Sequence, residues 1–239
     1  PNGVAVPVTV TPDGSISGSI AAPALIGNYT ATATDINGNT ATDTATATDS
    51  TPPAVELNVV INADGSATLS GTTEPGASVT VQDPNGAAVP VTVTPDGSIS
   101  GSIAAPALAG NYTATATDIN GNTATDTATA TDSTPPAVEL NVVINADGSA
   151  TLSGTTEPGA SVTVRGPDGV AVPVTVAPDG SISGSIAAPA LAGNYTATAT
   201  DINGNTATDT ATATDNIAPI PGSLSLADFS DTGISLSDG

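Results

Sequence analysis

The chain lacks cysteine, histidine, methionine and tryptophan altogether, and Arg165 is its single basic residue in 239. Without cysteine the fold cannot rely on disulfide bonds, and without cysteine or histidine the usual ligands for zinc and copper are missing. No histidine or lysine is present to act as the base that activates a serine nucleophile. Carboxylate pairs can hydrolyse glycosides, but three tyrosines and one phenylalanine offer little platform for a sugar. We therefore expect the chain not to be an enzyme.

Acidic residues dominate the charge, with 23 aspartates and glutamates and a net charge of -22. Such a chain repels nucleic acids and anionic lipids, because both are bound through lysine and arginine. A surface whose only charged ligands are carboxylates favours hard cations, calcium above all. No apolar run is long enough to cross a bilayer as a helix. We expect neither a nucleic-acid partner nor membrane insertion of this segment.

An internal repeat fixes the organisation of the chain. The pentapeptide D-I-N-G-N begins at Asp35, Asp118 and Asp201, 83 residues apart each time, within longer near-identical blocks. Self-similarity on this scale indicates a tandem array of one folded unit. The predicted boundaries are 1–49 for the C-terminal part of a repeat, 50–132 and 133–215 for complete repeats, and 216–239 for a linker and the start of a different, truncated β module. We expect the chain to be a piece of a longer protein.

Seven short runs of alternating apolar residues, separated by turn signals, fill the repeat at 50–132. The first runs from Val55 to Ile61, with valine, leucine and isoleucine on one face. The fourth contains Pro90, which predicts an edge position because proline cannot donate to a strand ladder. The sixth and seventh are threonine-alanine strands joined at D-I-N-G-N. The alternation also argues against a disordered acidic chain. The pattern predicts an all-β protein of tandem seven-stranded immunoglobulin-like β-sandwiches in a linear array.

D-S-T-P-P segments at 49–53 and 132–136 connect the repeats. Two successive prolines favour an extended, stiff chain, so we expect neighbouring units to be held in line. After the third copy the segment changes to D-N-I-A-P. The linker aspartate Asp215 is therefore a less secure candidate for binding a cation than Asp49 or Asp132.

Carboxylates are predicted to gather at the junctions between units. In a sandwich of this strand order, the loops after strands two, four and six meet at the end that faces the preceding linker. Like charges brought together there repel one another unless a cation lies between them, and calcium accepts irregular oxygen cages. The predicted calcium ligands are Asp49, Glu74 and Asp118 at one junction and Asp132, Glu157 and Asp201 at the next.

Simpler roles compete for several of these features. Asp118 also fits a residue that only organises its turn by accepting backbone N–H groups. Asp126 breaks the threonine-alanine alternation and is predicted to lie at a bend or a sandwich edge. The threonine rows are read as a polar strand face rather than as an ice-binding surface. The N-Y-T triplets at Asn28, Asn111 and Asn194 match a glycosylation sequon, which carries little weight if the source is bacterial.

The run Y-x-x-x-A-T-D-x-x-G-N, followed by D-x-T-P-P, resembles bacterial immunoglobulin-like repeats. Acidic, lysine-free and nearly identical copies are similar to the repeats of biofilm-associated proteins (the Bap family) and of giant type I secreted RTX-type adhesins. The resemblance covers residues 1 to 216. It implies surface export, tandem extension, a role in adhesion and biofilm formation, and calcium at the junctions.

These observations together predict spacer repeats of a bacterial cell-surface adhesin, rigidified by calcium at the domain junctions. The expected location is the bacterial cell surface, with attachment to the outer membrane through regions outside this chain. The expected partners are other copies of the adhesin or a host or neighbouring cell surface. The alternative is that the repeats are themselves binding modules for neighbouring cells or for glycans. Few aromatic residues are available to build such a binding surface.

Overall fold

Alternating β-branched and small residues form short strands throughout the part of the chain that the structure describes, residues 1–218 of a computed structural model. Within that range all helix-or-strand structure is strand, and no helix suited to crossing a membrane is found there. The strands are β1 (Thr9–Val10), β2 (Ile16–Ser17), β3 (Gly27–Thr34), β4 (Thr40–Ala47), β5 (Val55–Ile61), β6 (Ala67–Thr73), β7 (Ser78–Gln82), β8 (Ala88–Val89), β9 (Val91–Val93), β10 (Ser98–Ile103), β11 (Gly110–Thr117), β12 (Thr123–Ala130), β13 (Val138–Ile144), β14 (Ala150–Thr156), β15 (Ser161–Arg165), β16 (Ala171–Val172), β17 (Val174–Val176), β18 (Ser181–Ile186), β19 (Gly193–Thr200) and β20 (Thr206–Ala213).

Each complete repeat is a sandwich of two antiparallel four-stranded sheets. In the first complete repeat the sheet orders are β5-β6-β10-β9 and β12-β11-β7-β8, and the next repeat has the same arrangement in β13–β20. Residues 1–49 contribute the pairs β1-β2 and β3-β4. The predicted fold class, tandem immunoglobulin-like sandwiches in a linear array, is confirmed.

The fourth predicted strand is two strands in the structure. β8 pairs with β7 in one sheet, and β9 pairs with β10 in the other. Pro90 lies between them and has no N–H to give to either ladder, so the chain changes sheets there. Both segments are edge strands, as the proline predicted, but the count of seven continuous strands was wrong at this position.

One tyrosine anchors the core of each sandwich. Tyr112 is 1% exposed and packs with leucine and valine from both sheets, including Leu57, Leu69 and Val81. Its hydroxyl donates to the carbonyl of Leu108 at 2.8 Å, four residues upstream. This is the tyrosine corner of immunoglobulin-like sandwiches, and it fixes the connection between β10 and β11 against the core. Tyr195 makes the same contacts in the next repeat.

Asp126 lies in β12 at the edge of its sheet, as predicted. Its Oδ2 accepts the backbone N–H of Leu57 in β5, the edge strand of the opposite sheet, at 2.8 Å. Asp209 makes the equivalent bond to Leu140 at 2.7 Å. A mid-strand carboxylate therefore closes one open side of each complete sandwich.

The linkers are part of the folded units. Pro53 and Pro136 are among the most deeply buried side chains of the chain. Asp215 keeps the local turn of the earlier linkers by accepting the N–H of Ile217 at 2.9 Å. Residues 216–218 form no strand, and the predicted second module lies mostly at 219–239, outside the described residues.

Candidate functional site at the domain junctions

The D-I-N-G-N turn is built by its first aspartate. Oδ1 of Asp201 accepts the backbone N–H groups of Asn203 and Asn205 at 2.9 and 2.8 Å, and its Oδ2 accepts the Asn205 side-chain amide. Gly204 has a φ of +91°, a conformation that glycine adopts without strain. Asp118 and Asp35 organise their copies of the turn in the same way. The turn therefore holds its third residue, asparagine, at the tip.

That asparagine reaches across to the preceding repeat. Nδ2 of Asn203 donates to the carbonyl of Ala107 at 3.1 Å and to Oδ2 of Asp132 at 2.8 Å. Its Oδ1 accepts the N–H of Ala109 at 2.7 Å. One side chain thus joins the turn of one unit to the β10–β11 connection of the previous unit and to the linker between them. We call this group of contacts the asparagine clamp.

The same clamp is present at the junction before it. Nδ2 of Asn120 donates to the carbonyl of Ala24 at 3.0 Å and to Oδ2 of Asp49 at 2.8 Å. Its Oδ1 accepts the N–H of Ile26 at 3.0 Å. We refer to the contact between residues 1–49 and 50–132 as junction 1, and to that between 50–132 and 133–215 as junction 2. Both junctions are docked through identical atoms.

The isoleucine of the D-I-N-G-N turn is more exposed in the incomplete first copy than in the two complete repeats. It is 100% exposed at Ile36, 50% exposed at Ile119 and 48% exposed at Ile202. Residues 1–49 of this chain have neither a preceding repeat nor the first strands of their own sandwich, so docking and completion of the sandwich both contribute to this difference.

The E-P-G-A turn forms the other side of the interface. At Gly159, whose φ is +84°, an added Cβ would lie 2.6 Å from Cγ of Pro106 in the preceding repeat. At Gly76 an added Cβ would lie 2.9 Å from Cγ of Pro23. Each glycine is thus required both by its backbone conformation and by the proline packed on it.

Glu157 is the carboxylate of junction 2 whose ionised form is disfavoured by its surroundings. Its carboxylate lies against Gly65 of the preceding repeat, beside a cleft lined by Ala63, Asp64 and the linker end. Burial raises the pKa of Glu157 above its ordinary value of 4.5, and the negative charges of Asp201, Asp132 and Asp64 raise it further. Part of the acidic cluster expected at this junction therefore exists.

The predicted calcium ligands fall into two groups. The carboxylates that accept hydrogen bonds in the clamp or the turn are Asp49, Asp118, Asp132 and Asp201. Glutamates Glu74 and Glu157 sit in the E-P-G-A turns. Across residues 1–218, no three acidic side chains are close enough together to hold a metal ion as placed. A calcium site would require these carboxylates to move closer together.

Hydrogen bonding governs the aspartates of junction 1. Burial works against the ionised form of Asp118, but the bonds from Asn122 and Asn120 outweigh it and lower its pKa below 3.8. The N–H of Thr51 and the side chain of Asn120 lower the pKa of Asp49. Both carboxylates are therefore charged at neutral pH and already compensated by donors.

Sequence reasoning missed the asparagine clamp. Asparagine before glycine is common at the tip of a tight turn, so Asn120 and Asn203 looked like turn formers. The only signal available was their recurrence opposite the linker aspartates, and an asparagine carries no charge that would mark it as part of a junction.

Comparison with known proteins supports the domain class. The bacterial Ig domain family matches residues 52–132 and 135–216. No curated protein matches the sequence significantly.

Several solved structures resemble the chain. The tetra-tandem repeat from the extending region of a large adhesion protein is 33% identical over 85% of this chain, with a TM-score of 0.42. This chain spans 61% of that protein's length. The BSP domain of a biofilm-associated protein is 28% identical, with a TM-score of 0.30 and coverage of 70% and 30% of the two chains. A 1.5-MDa bacterial ice-binding adhesin is 22% identical, with a TM-score of 0.29 and coverage of 78% and 73%. Since the family match extends over two successive repeats and most of the sequence, the chain belongs to the bacterial Ig domain family.

Proposed function

We propose that the chain is an extender segment of a bacterial cell-surface adhesin, with a mechanical rather than an enzymatic role. The observation that carries the proposal is the asparagine clamp, which docks each unit on the previous one through the same atoms at both junctions. Identical docking propagates one geometry along an array. An array of this kind holds an adhesive region away from the cell.

The clamp stiffens each junction through three hydrogen bonds, and a buried linker proline adds to the effect. Each net hydrogen bond contributes about 0.5–1.5 kcal/mol, so three per junction together exceed the thermal energy that would bend a short linker. Pro53 and Pro136, the second proline of each linker, are buried and restrict the end of the linker further. In this role the repeats act outside the cell, attached to the outer membrane through other regions, and the adhesive partner is another copy or a cell surface.

Small-angle X-ray scattering of the intact chain tests the proposal. We expect a rod-like distance distribution for the wild type and a shorter, broader one for the Asn120→Ala, Asn203→Ala double variant. Asn37→Ala is the matched control, because this asparagine occupies the same turn and makes no clamp within residues 1–218. A double variant that scatters like the wild type would show that the clamp does not set the geometry and would sink the proposal.

We further propose that calcium reinforces the junctions. The support is the cluster of negative charge around Glu157, whose carboxylate has no hydrogen-bond donor among the described residues and faces Asp64, Asp132 and Asp201. When bound, calcium would neutralise that cluster. Glu157 and Asp132 would hold it at junction 2, with Asp201 as a third contributor, and Glu74, Asp49 and Asp118 are the equivalents at junction 1.

Thermal unfolding with and without calcium tests the proposal that calcium reinforces the junctions. At a constant ionic strength we expect millimolar calcium to raise the melting temperature, and Glu157→Gln to weaken that rise. Magnesium at the same concentration controls for screening, since it demands near-octahedral geometry. An equal rise in melting temperature with the two cations, or no rise with either, would contradict the calcium proposal. The proposal that the asparagine clamp docks the repeats would be unaffected.

A further inference from the structure

Both clamp residues are followed directly by glycine, at Asn120–Gly121 and Asn203–Gly204. Asparagine before glycine is the sequence most prone to spontaneous deamidation, because glycine has no side chain to shield its backbone nitrogen. We propose that these two asparagines are modification sites at which deamidation releases the junction, and that docking of the junction suppresses the reaction.

The chemistry needs only water. The backbone nitrogen of Gly204 attacks Cγ of Asn203, a new C–N bond forms, the bond to Nδ2 breaks, and ammonia leaves with the proton of the Gly204 N–H. Water then adds to one carbonyl of the resulting succinimide and opens the ring. The product is aspartate or isoaspartate at position 203, and nothing is oxidised or reduced.

Modification removes the contacts that define the clamp. Nδ2 is the donor to both Ala107 and Asp132, and both bonds are lost when a carboxylate oxygen replaces it. The new negative charge then lies against Asp132, where the donor stood at 2.8 Å. Like charges at such a distance repel, and Glu157, Asp64 and Asp201 already add negative charge at this junction. Isoaspartate also lengthens the backbone of the turn.

Docking opposes the reaction through the same contacts. Succinimide formation requires Cγ of Asn203 to rotate toward the Gly204 nitrogen, but three hydrogen bonds hold its amide against the preceding repeat. The junction must open before the asparagine can react. The rate at Asn203 therefore reports how often junction 2 is open.

The chain carries its own reference site. Asn85 precedes Gly86 in a turn of the same type, with its N–H bonded to Oδ1 of Asp83 at 2.9 Å and the Gly86 N–H bonded to the Asp83 carbonyl at 2.9 Å. Asn85 is exposed, and its side chain makes no hydrogen bond to another repeat within residues 1–218. The difference between Asn85 and Asn203 isolates the effect of docking.

The first arm of the test measures rates by mass spectrometry after incubation of the intact chain at mildly alkaline pH. Cleavage after Glu56 and Glu139, the two glutamates that are not followed by proline, places the three identical turns in separate peptides. We expect deamidation at Asn203 to be at least about tenfold slower than at Asn85, which is the lower limit of what three net hydrogen bonds would impose. In mild urea that opens the junction without unfolding the sandwiches, the two rates should converge. Equal rates in buffer would overturn the protection.

The second arm measures the consequence of the product. Asn203→Asp should broaden the scattering distance distribution, while Asn85→Asp should leave it unchanged. Adding Asp132→Asn to Asn203→Asp removes the repulsion and should narrow the distribution again, and circular dichroism of each variant confirms that the sandwiches remain folded. A wild-type distribution for Asn203→Asp would overturn the release. The inference rests on the clamp but not on the adhesin role: site-specific protection can be observed even if the chain proves not to be a rod.

Discussion

At the scale of single residues, Asp126 shows how one polar side chain completes an apolar sandwich. It stands in a strand of threonine and alanine, half-buried, and accepts the N–H of Leu57 from the opposite sheet. Edge strands present unpaired N–H groups, and an unpaired buried donor is costly. Asp126 satisfies this one with a charge-assisted bond.

Removing that carboxylate should destabilise the repeat. We expect Asp126→Ala to lower the free energy of unfolding of the first complete repeat by about 1.5–3 kcal/mol, the range for hydrogen bonds to charged groups. Urea unfolding of the intact chain, followed by circular dichroism, measures the change. Asp43→Ala is the control, since this residue occupies the same strand position without a Leu57 equivalent in the chain. Equal effects of the two substitutions would refute the assignment.

The tyrosine corner gives a second residue-scale prediction. Tyr112→Phe keeps the ring that fills the core and removes the hydroxyl that donates to Leu108. We expect a loss of about 1 kcal/mol, together with the cost of leaving that carbonyl without a donor. Tyr195→Phe should cost the same, because Tyr195 bonds Leu191 at the same 2.8 Å. Unfolding midpoints of the two variants and the wild type check both statements, and an unchanged midpoint would contradict them.

Residues of these kinds mark the limit of what the sequence could predict. The alternation placed Asp126 at a bend or a sandwich edge, because strand parity is a local pattern. The partner of Asp126 lies 69 residues away, and the partners of Asn203 lie up to 96 residues away. The first contact depends on how the two sheets of one repeat pack, and the second on how two repeats dock, and no local pattern encodes either.

At the scale of turns and junctions, two sets of carboxylates respond to pH in opposite directions. Hydrogen bonds lower the pKa of turn aspartates such as Asp64 and Asp96, so their stabilisation is lost as the pH falls through values below 3.8. Glu157 has a raised pKa, so it destabilises junction 2 most when it is fully ionised. Its protonation in the docked state relieves the junction at a higher pH than that at which the turns weaken.

Mild acid should therefore tighten junction 2 before it harms the sandwiches. We expect acidification from pH 7 toward 4.5, the ordinary pKa of glutamate, to narrow the distance distribution between spin labels at Thr80→Cys and Thr163→Cys, which are equivalent positions in the two complete repeats. The chain has no native cysteine to interfere. Glu157→Gln should give the narrow distribution already at pH 7 and abolish the pH dependence. A distribution that broadens on mild acidification would contradict the sign argued here.

The junctions were predicted in part. The loop order correctly brought Asp132, Glu157 and Asp201 within electrostatic reach of one another, and the additional approach of Asp64 came from the end of the preceding unit, as a head-to-tail array requires. Pro90 predicted an edge strand. The change of sheet, however, depends on which strands pair with the two halves, β7 with β8 and β10 with β9. Proline restricts local geometry, and long-range pairing decides the rest.

At the scale of the whole molecule, charge is the dominant feature. A net charge of -22 with a single arginine leaves almost no attractive ion pairs to offset repulsion. Self-repulsion on this scale keeps copies apart in solution and extends an array of domains, while it destabilises each compact unit. With one arginine in the chain, surface salt bridges contribute little to the stability of the described residues 1–218.

Screening of that repulsion should stabilise the fold. The Debye length falls from about 30 Å at 0.01 M salt to about 8 Å at 0.15 M, so repulsion between the ends of one repeat is present at the lower salt concentration and largely absent at the higher one. We expect the melting temperature to rise between these concentrations and then to level off, with sodium and potassium chloride acting alike. The ordinary pKa of aspartate and glutamate is about 4. At a pH near that value the net charge is smaller, and the rise in melting temperature should shrink. A melting temperature independent of salt at neutral pH would mean that the hydrogen-bonded turns already compensate the aspartates locally, and extension of the array would then rest on the junction contacts alone.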